Sequence, residues 1–189
     1  MDLKPNLKPF VSLRMSVMHA ALCGKHIDQG VYINMTQVLF GPRLGREGQL
    51  RVGCSAAILD AAREKVLLTR RTDNGQWCLP GGAMESGESA AEACEREVLE
   101  ETGLSIRVTR LVGVYSHPDQ LVIYPDGNKA HIVALHFEAD VISGEPGLSN
   151  ETTDFGYFTL REIEGLEMLG RHKERVIDTL EKYSEALIK

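Results

Sequence analysis

Apolar and polar positions alternate with clear periods from Arg51 onwards, and weakly before it. RVGCSAAILD (51–60) and KVLLTRR (65–71) read as strands, and DAARE (60–64) between them predicts a hairpin. WCLPGG (77–82) reads as a short strand ending in a double-glycine loop. LSIRVTRLVGVYS (104–116) alternates like a strand. LVIY and KAHIVALHFEADV flank a Pro-Asp-Gly turn and predict a second hairpin over 121–141. DFGYFTL (154–160) is a strand leading into a helical turn. Val176, Leu180, Tyr183 and Leu187 recur at spacings of 4, 3 and 4, which predicts an amphipathic helix over 171–187. Strands on both sides of a central helix predict an α/β fold, a mixed sheet with helices packed on it.

That central helix is the best-specified element. Ser89 and Glu92 form an S-x-x-E capping box, so the helix starts at Ala90. Gly103 stands where a left-handed residue ends a helix, with apolar Leu104 after it. Residues 1–48 differ. They hold Pro5, Pro9 and Pro42, and GPRLGREG (41–48) reads as a linker. VYINMTQVLF (31–40) reads as a short helix. The expected organisation is an N-terminal extension over 1–48, partly helical or disordered, and one domain over 49–189.

Charge sharpens the picture. Lys plus Arg is 21 and Asp plus Glu is 27, a formal net charge of −6. Residues 82–104 alone hold seven glutamates against one arginine, so this segment carries the entire excess. A polyanion binder would be basic, so nucleic acid is not an expected partner. No apolar run approaches the roughly 18–20 residues of a membrane span. The cysteines at 23, 54, 78 and 94 form no CxxC pair and fit no zinc spacing. Four reduced thiols point to a reducing compartment, hence a cytoplasmic protein.

At 100° per residue, Ala91, Cys94, Val98 and Thr102 form one buried stripe on the helix. Glu97, Glu100 and Glu101 share a neighbouring face at spacings i, i+3 and i+4. Glu97 and Glu101 lie along the edge of the stripe rather than opposite it. Like charges at these spacings destabilise a helix by a few tenths of a kcal/mol. Hard divalent cations with oxygen ligands would relieve that repulsion. A solvated Glu-rich helix is the other reading of this face.

The wider pattern decides between them. Gly82, then Glu88 after five residues, then Arg96-Glu97 after seven, leads into Val98, Glu100-Glu101, Gly103 and Leu104. This resembles the signature of the Nudix hydrolases at every fixed position. With roughly 7% usage per residue type, a chance match is on the order of one in ten million. The resemblance covers about residues 50–187.

It implies a Nudix-type α/β/α sandwich with a mixed β-sheet. It also implies hydrolysis of a pyrophosphate bond in a nucleoside diphosphate linked to another moiety, such as ADP-ribose, a nucleotide sugar or a nucleoside triphosphate. The cofactor is then Mg2+ or Mn2+, and the partner is a small nucleotide. Family members are often homodimers. By the same resemblance Glu97, Glu100, Glu101 and the Gly82 carbonyl hold metal, while Arg96 orients the glutamates and Glu88 pairs with it. Glu97, Glu100 or Glu151 serves as the base; Glu151 sits in NETTDFGYF, like the acidic loop of ADP-ribose-type members, or else is an ordinary loop acid. One of Arg70 and Arg71 faces the site, since strand residues alternate, and can take phosphate bidentately. Trp77 either stacks on a base or is buried in the sheet. The alternative function is a non-catalytic, nucleotide-sensing Nudix domain. An isopentenyl diphosphate isomerase is the third reading, although that group departs from the signature.

Overall fold

The computed structural model describes residues 35–189. Among these residues nine strands and three α-helices, with a short 3-10 helix at Leu44–Glu47 between the first two strands, follow in the order β1 (Gln37–Phe40), β2 (Gln49–Ile58), β3 (Lys65–Arg71), β4 (Trp77–Cys78), α1 (Ala90–Thr102), β5 (Ser105–Tyr115), β6 (Gln120–Ile123), β7 (Lys129–Ser143), β8 (Thr152–Thr159), α2 (Leu160–Ile163), α3 (His172–Leu180) and β9 (Leu187–Ile188). The larger sheet runs β1-β6-β7-β5-β9, and β2 also pairs with β7. The smaller sheet runs β4-β3-β8. β2 lies parallel to β7 from Gln49↔Ala130 to Ile58↔Ala139, while β5 and β6 lie antiparallel to it, so the larger sheet is mixed.

The period-2 alternation of β2 and β3 divides the core in two. Ala56 and Ile58 of β2, with Leu67 of β3, face Ala93, Cys94 and Val98 of α1. Ala57 of β2, with Val66 and Leu68 of β3, packs with Ile163 of α2 and Val176 of α3. Helices therefore cover opposite faces of the strands, giving an α/β/α sandwich.

α1 has the limits its sequence dictates. Ser89 and Glu92 cap each other's backbone N–H groups at 3.3 and 2.8 Å, and Gly103 ends the helix at φ 73°.

Three local expectations fail. Residues 37–40 form β1, antiparallel to β6, rather than part of a short helix; residues 31–34 of that stretch lie outside the described residues. Arrival of β1 at a sheet edge explains its strand geometry, since β6 offers it free backbone groups. β2 and β3 form no extended hairpin. The turn is present, with Asp60 accepting from the N–H groups of Glu64 and Lys65, but only the bridge Leu59↔Val66 follows. β2 instead takes β7 as its partner, and β3 takes β8. The last helix stops at Leu180 instead of reaching 187. Lys182 turns the backbone to φ 53°, and Leu187 and Ile188 pair in parallel with Gly113 and Val114. No helix among the described residues is long and apolar enough to cross a membrane.

Candidate active site

The double-glycine loop after β4 runs across the C-terminal half of α1. Gly81 has φ 141°, and a Cβ there would lie 2.3 Å from the Cys54 carbonyl oxygen. At Gly82 a Cβ would lie 2.4 Å from the Glu97 carboxyl group. Only glycine lets this backbone approach β2 and α1 so closely. The Gly82 carbonyl accepts from the Cys54 N–H at 2.9 Å, which fixes the loop on β2.

The three helix glutamates occupy different environments. Glu101 is only 8% exposed, and one of its oxygens accepts from the Gly81 N–H at 2.9 Å. Burial pushes its carboxyl up to about 7, against the lowering effect of that N–H. Glu97 is half-buried, and burial raises its carboxyl too, opposed by Arg96. The Glu100 side chain is 61% exposed.

Arg96 ties the loop and the helix together. Its Nε and Nη2 donate to Glu88 at 2.6 and 3.1 Å. Nη2 also donates to the Ala83 carbonyl at 3.1 Å. Nη1 donates to Glu97 at 2.9 Å and to Glu100 at 3.2 Å. The Arg96 bonds hold the Glu88 carboxyl down at about 2. With Arg96 drawing Glu97 and Glu100 to itself, no three His, Cys, Asp or Glu side chains converge as a formed metal centre among the described residues. The donor set nonetheless suits a hard divalent cation: two crowded carboxylates at the edge of the core, a third beside them, and a carbonyl on a loop with no room for a Cβ.

Glu101 and Gly82 open onto a cleft of about 340 Å³. Arg71 lines it and is bound bidentately by Asp73, at 2.8 and 2.9 Å. Burial would raise the Asp73 carboxyl, but Arg71 and the Thr36 N–H hold it down at about 2. Glu151 also lines the cleft, and its charge acts on both Glu97 and Glu101. Val38, Val122, Ile132 and Ala134 form an apolar wall, and Arg51 lies over the Tyr124 ring at 5.5 Å.

For two candidate substrate residues the structure takes the other alternative. Arg70 points away from the cleft, exposed, and donates from Nε to the Gly75 carbonyl at 2.9 Å. Strand alternation sends Arg71 inward and Arg70 outward. Trp77 packs edge-on against Phe158, with ring centroids 4.8 Å apart, in the core beneath α2 and α3. Sequence reasoning missed His172 and Arg175 of α3, both in the cleft lining. The only available signal was their i, i+3 spacing on a helix whose polar face had no assigned role.

The NUDIX domain model matches residues 49–180, more than half of the chain. The chain belongs to the Nudix family. It is 38% identical to an ADP-ribose pyrophosphatase of Methanocaldococcus jannaschii over 105 residues, 54% of this chain and 59% of that protein's length. A MutT-like protein of Streptomyces ambofaciens is 34% identical over 117 residues, 62% of this chain and 69% of that one. Among solved structures, an ADP-ribose pyrophosphatase of Streptococcus suis superposes with a TM-score of 0.57 at 25% identity, covering 74% of this chain and 98% of its own. A MutT Nudix hydrolase of Burkholderia pseudomallei gives 0.55 at 30% identity, with coverages of 69% and 98%.

Proposed function

We propose that this Nudix protein hydrolyses the pyrophosphate bond of a nucleoside diphosphate linked to another group, with Mg2+ or Mn2+ as cofactor. The observation that carries this reading is the placement of Glu97 and Glu101, partly or fully buried against the Gly81–Gly82 loop and beside a cleft. Carboxylates so crowded and desolvated are costly without a cation. Glu97, Glu100, Glu101 and the Gly82 carbonyl would hold it. When bound, the cation neutralises phosphoryl oxygens and acidifies the attacking water.

The chain's own groups divide the remaining work. Arg96 orients Glu97 and Glu100, and Glu88 anchors Arg96. Glu151 stands in the cleft lining, where it can accept the proton of the attacking water; a helix glutamate is the other candidate base. Arg71, locked by Asp73, presents a fixed cation to the diphosphate. The apolar wall and Tyr124 suit the face of a base. The names of the archaeal and streptococcal relatives favour ADP-ribose; a nucleoside triphosphatase of Escherichia coli, 34% identical over 86 residues, favours a nucleoside triphosphate.

The test is phosphate release from ADP-ribose, nucleotide sugars, dinucleoside polyphosphates, coenzyme A, NADH and deoxynucleoside triphosphates, each with magnesium and with manganese. The expected result is one substrate cleaved with kcat/KM of at least about 10⁴ M⁻¹s⁻¹. E97Q and E101Q should each lose at least a hundredfold in rate, about 2.7 kcal/mol of barrier. A folded E97Q variant within threefold of wild type removes Glu97 from the machinery.

A further inference from the structure

Arg175 is only 7% exposed, yet it has no carboxylate partner among the described residues. Its Nη1 lies 3.5 Å from the Ser55 hydroxyl, its guanidinium sits 5.5 Å from the Tyr115 ring centroid, and its Nε is buried without a hydrogen-bond partner. Glu174 and Asp178, the carboxylates beside it on α3, are engaged by Lys189 at 3.2 and 2.8 Å. Of the other two arginines in the lining, Arg71 is already paired with Asp73 and Arg51 lies over the Tyr124 ring. A buried guanidinium without a counter-charge is destabilising, because a ring face and a hydroxyl replace little of its lost hydration. Arg175 lines the same cleft as Glu101 and Arg71. A neutral carbonyl there would fill a hydrogen bond but leave the charge unbalanced. A phosphoryl group supplies both acceptors and charge, in a geometry that fits the planar fork.

We propose that Arg175 receives phosphoryl oxygens of the substrate in this cleft, with the diphosphate as its missing counter-ion. The proposal rests on the hydrolase reading and adds a substrate-binding residue from α3. It implies that the free protein gives up stability for binding. Replacing the guanidinium by an apolar side chain of similar length should then stabilise the free protein and weaken the substrate.

The experiment compares wild type, R175M and R175K. Thermal unfolding is followed with and without inorganic pyrophosphate, in the presence and absence of magnesium, and KM and kcat are measured with the substrate that wild type cleaves. R175M is expected to melt at or above the wild-type temperature and to lose the pyrophosphate-induced rise in Tm. Its KM should rise at least tenfold, with kcat changed less. R175K, which keeps the charge without the fork, should fall between the two in KM. An R175M protein that fails to fold, or melts well below wild type with KM within threefold, makes Arg175 a structural prop and overturns the proposal. An equal pyrophosphate shift in wild type and R175M overturns it as well. Absence of turnover by wild type on every substrate would defeat the hydrolase reading instead, and the pyrophosphate arm would still decide the role of Arg175.

Discussion

At the scale of single residues, the two glycines of the active-site loop make separable demands. A Cβ on Gly81 meets the backbone oxygen of Cys54 and suffers a left-handed φ. Neither can be relieved by a side-chain rotation, so G81A should destabilise the fold by about 1–3 kcal/mol. A Cβ on Gly82 meets the carboxyl group of Glu97, the free end of a flexible side chain. That carboxyl can swing aside, so G82A should keep most of its stability. The displaced carboxylate is the one proposed for catalysis, so G82A should lose at least tenfold in kcat/KM, about 1.4 kcal/mol. Tm and kcat/KM measured on both variants check the split: G81A falls chiefly in Tm, G82A chiefly in kcat/KM. If G82A is fully active, Glu97 does not need its observed position. The loop glycines were legible in the sequence as a turn, but the contact with Glu97 was not, because it depends on how closely the loop crosses α1.

At the scale of elements, α1 shows what local chemistry can specify. Its limits follow from Ser89, Glu92 and Gly103, all within the helix or adjacent to it. The reciprocal cap satisfies two backbone N–H groups, so S89A should cost about 1 kcal/mol and lower Tm by roughly 2–4 °C. Calorimetry on S89A measures this directly; an unchanged Tm would mean the first turn contributes nothing to the fold. The wheel of α1 places Glu97 and Glu101 at the edge of the expected stripe, but the structure also buries Ala93 on their other side, so Glu101 lies inside the buried face and Glu97 is half-buried. Elements whose fate depends on distant partners were not legible. The β2–β3 turn looks like a hairpin from its own residues, but β7 lies some seventy residues further on and captures β2. Alternation says that one of Arg70 and Arg71 faces inward, yet its phase is set by the pairing of β3 with β8. Arg175 was invisible for the same reason: its burial and its place in the cleft arise only when α3 docks on β2 and β5.

At the scale of the whole molecule, the docking of α3 on the larger sheet buries a histidine whose protonation the fold opposes. His136 of β7 lies between Ser55 of β2 at 2.9 Å and Thr179 of α3 at 2.9 Å. Tyr115 meets its ring edge-on, and the positive charges of Arg175 and Arg110 act on it from α3 and β5. Burial first, and then these arginines, push its pKa down to about 3. The unfolded chain regains a pKa near about 6.5. Below that value the unfolded state binds a proton that the folded state refuses. The His136 contribution is thus complete above about pH 6.5 and is lost as pH falls towards about 3, at up to roughly 1.4 kcal/mol per pH unit. Glu101 has the opposite sign: its raised carboxyl favours the folded state at low pH and loses that advantage as pH rises towards about 7. The two slopes oppose each other between about pH 4.5 and 6.5, so the wild-type curve alone understates both. Comparison with H136Q, which retains amide donors and acceptors for Ser55 and Thr179, isolates the histidine. The stability of H136Q relative to wild type should rise steadily as pH is lowered from 6.5 to 4. Chemical denaturation of both proteins across that range tests it, and a constant difference would mean that His136 titrates alike in the folded and unfolded chains.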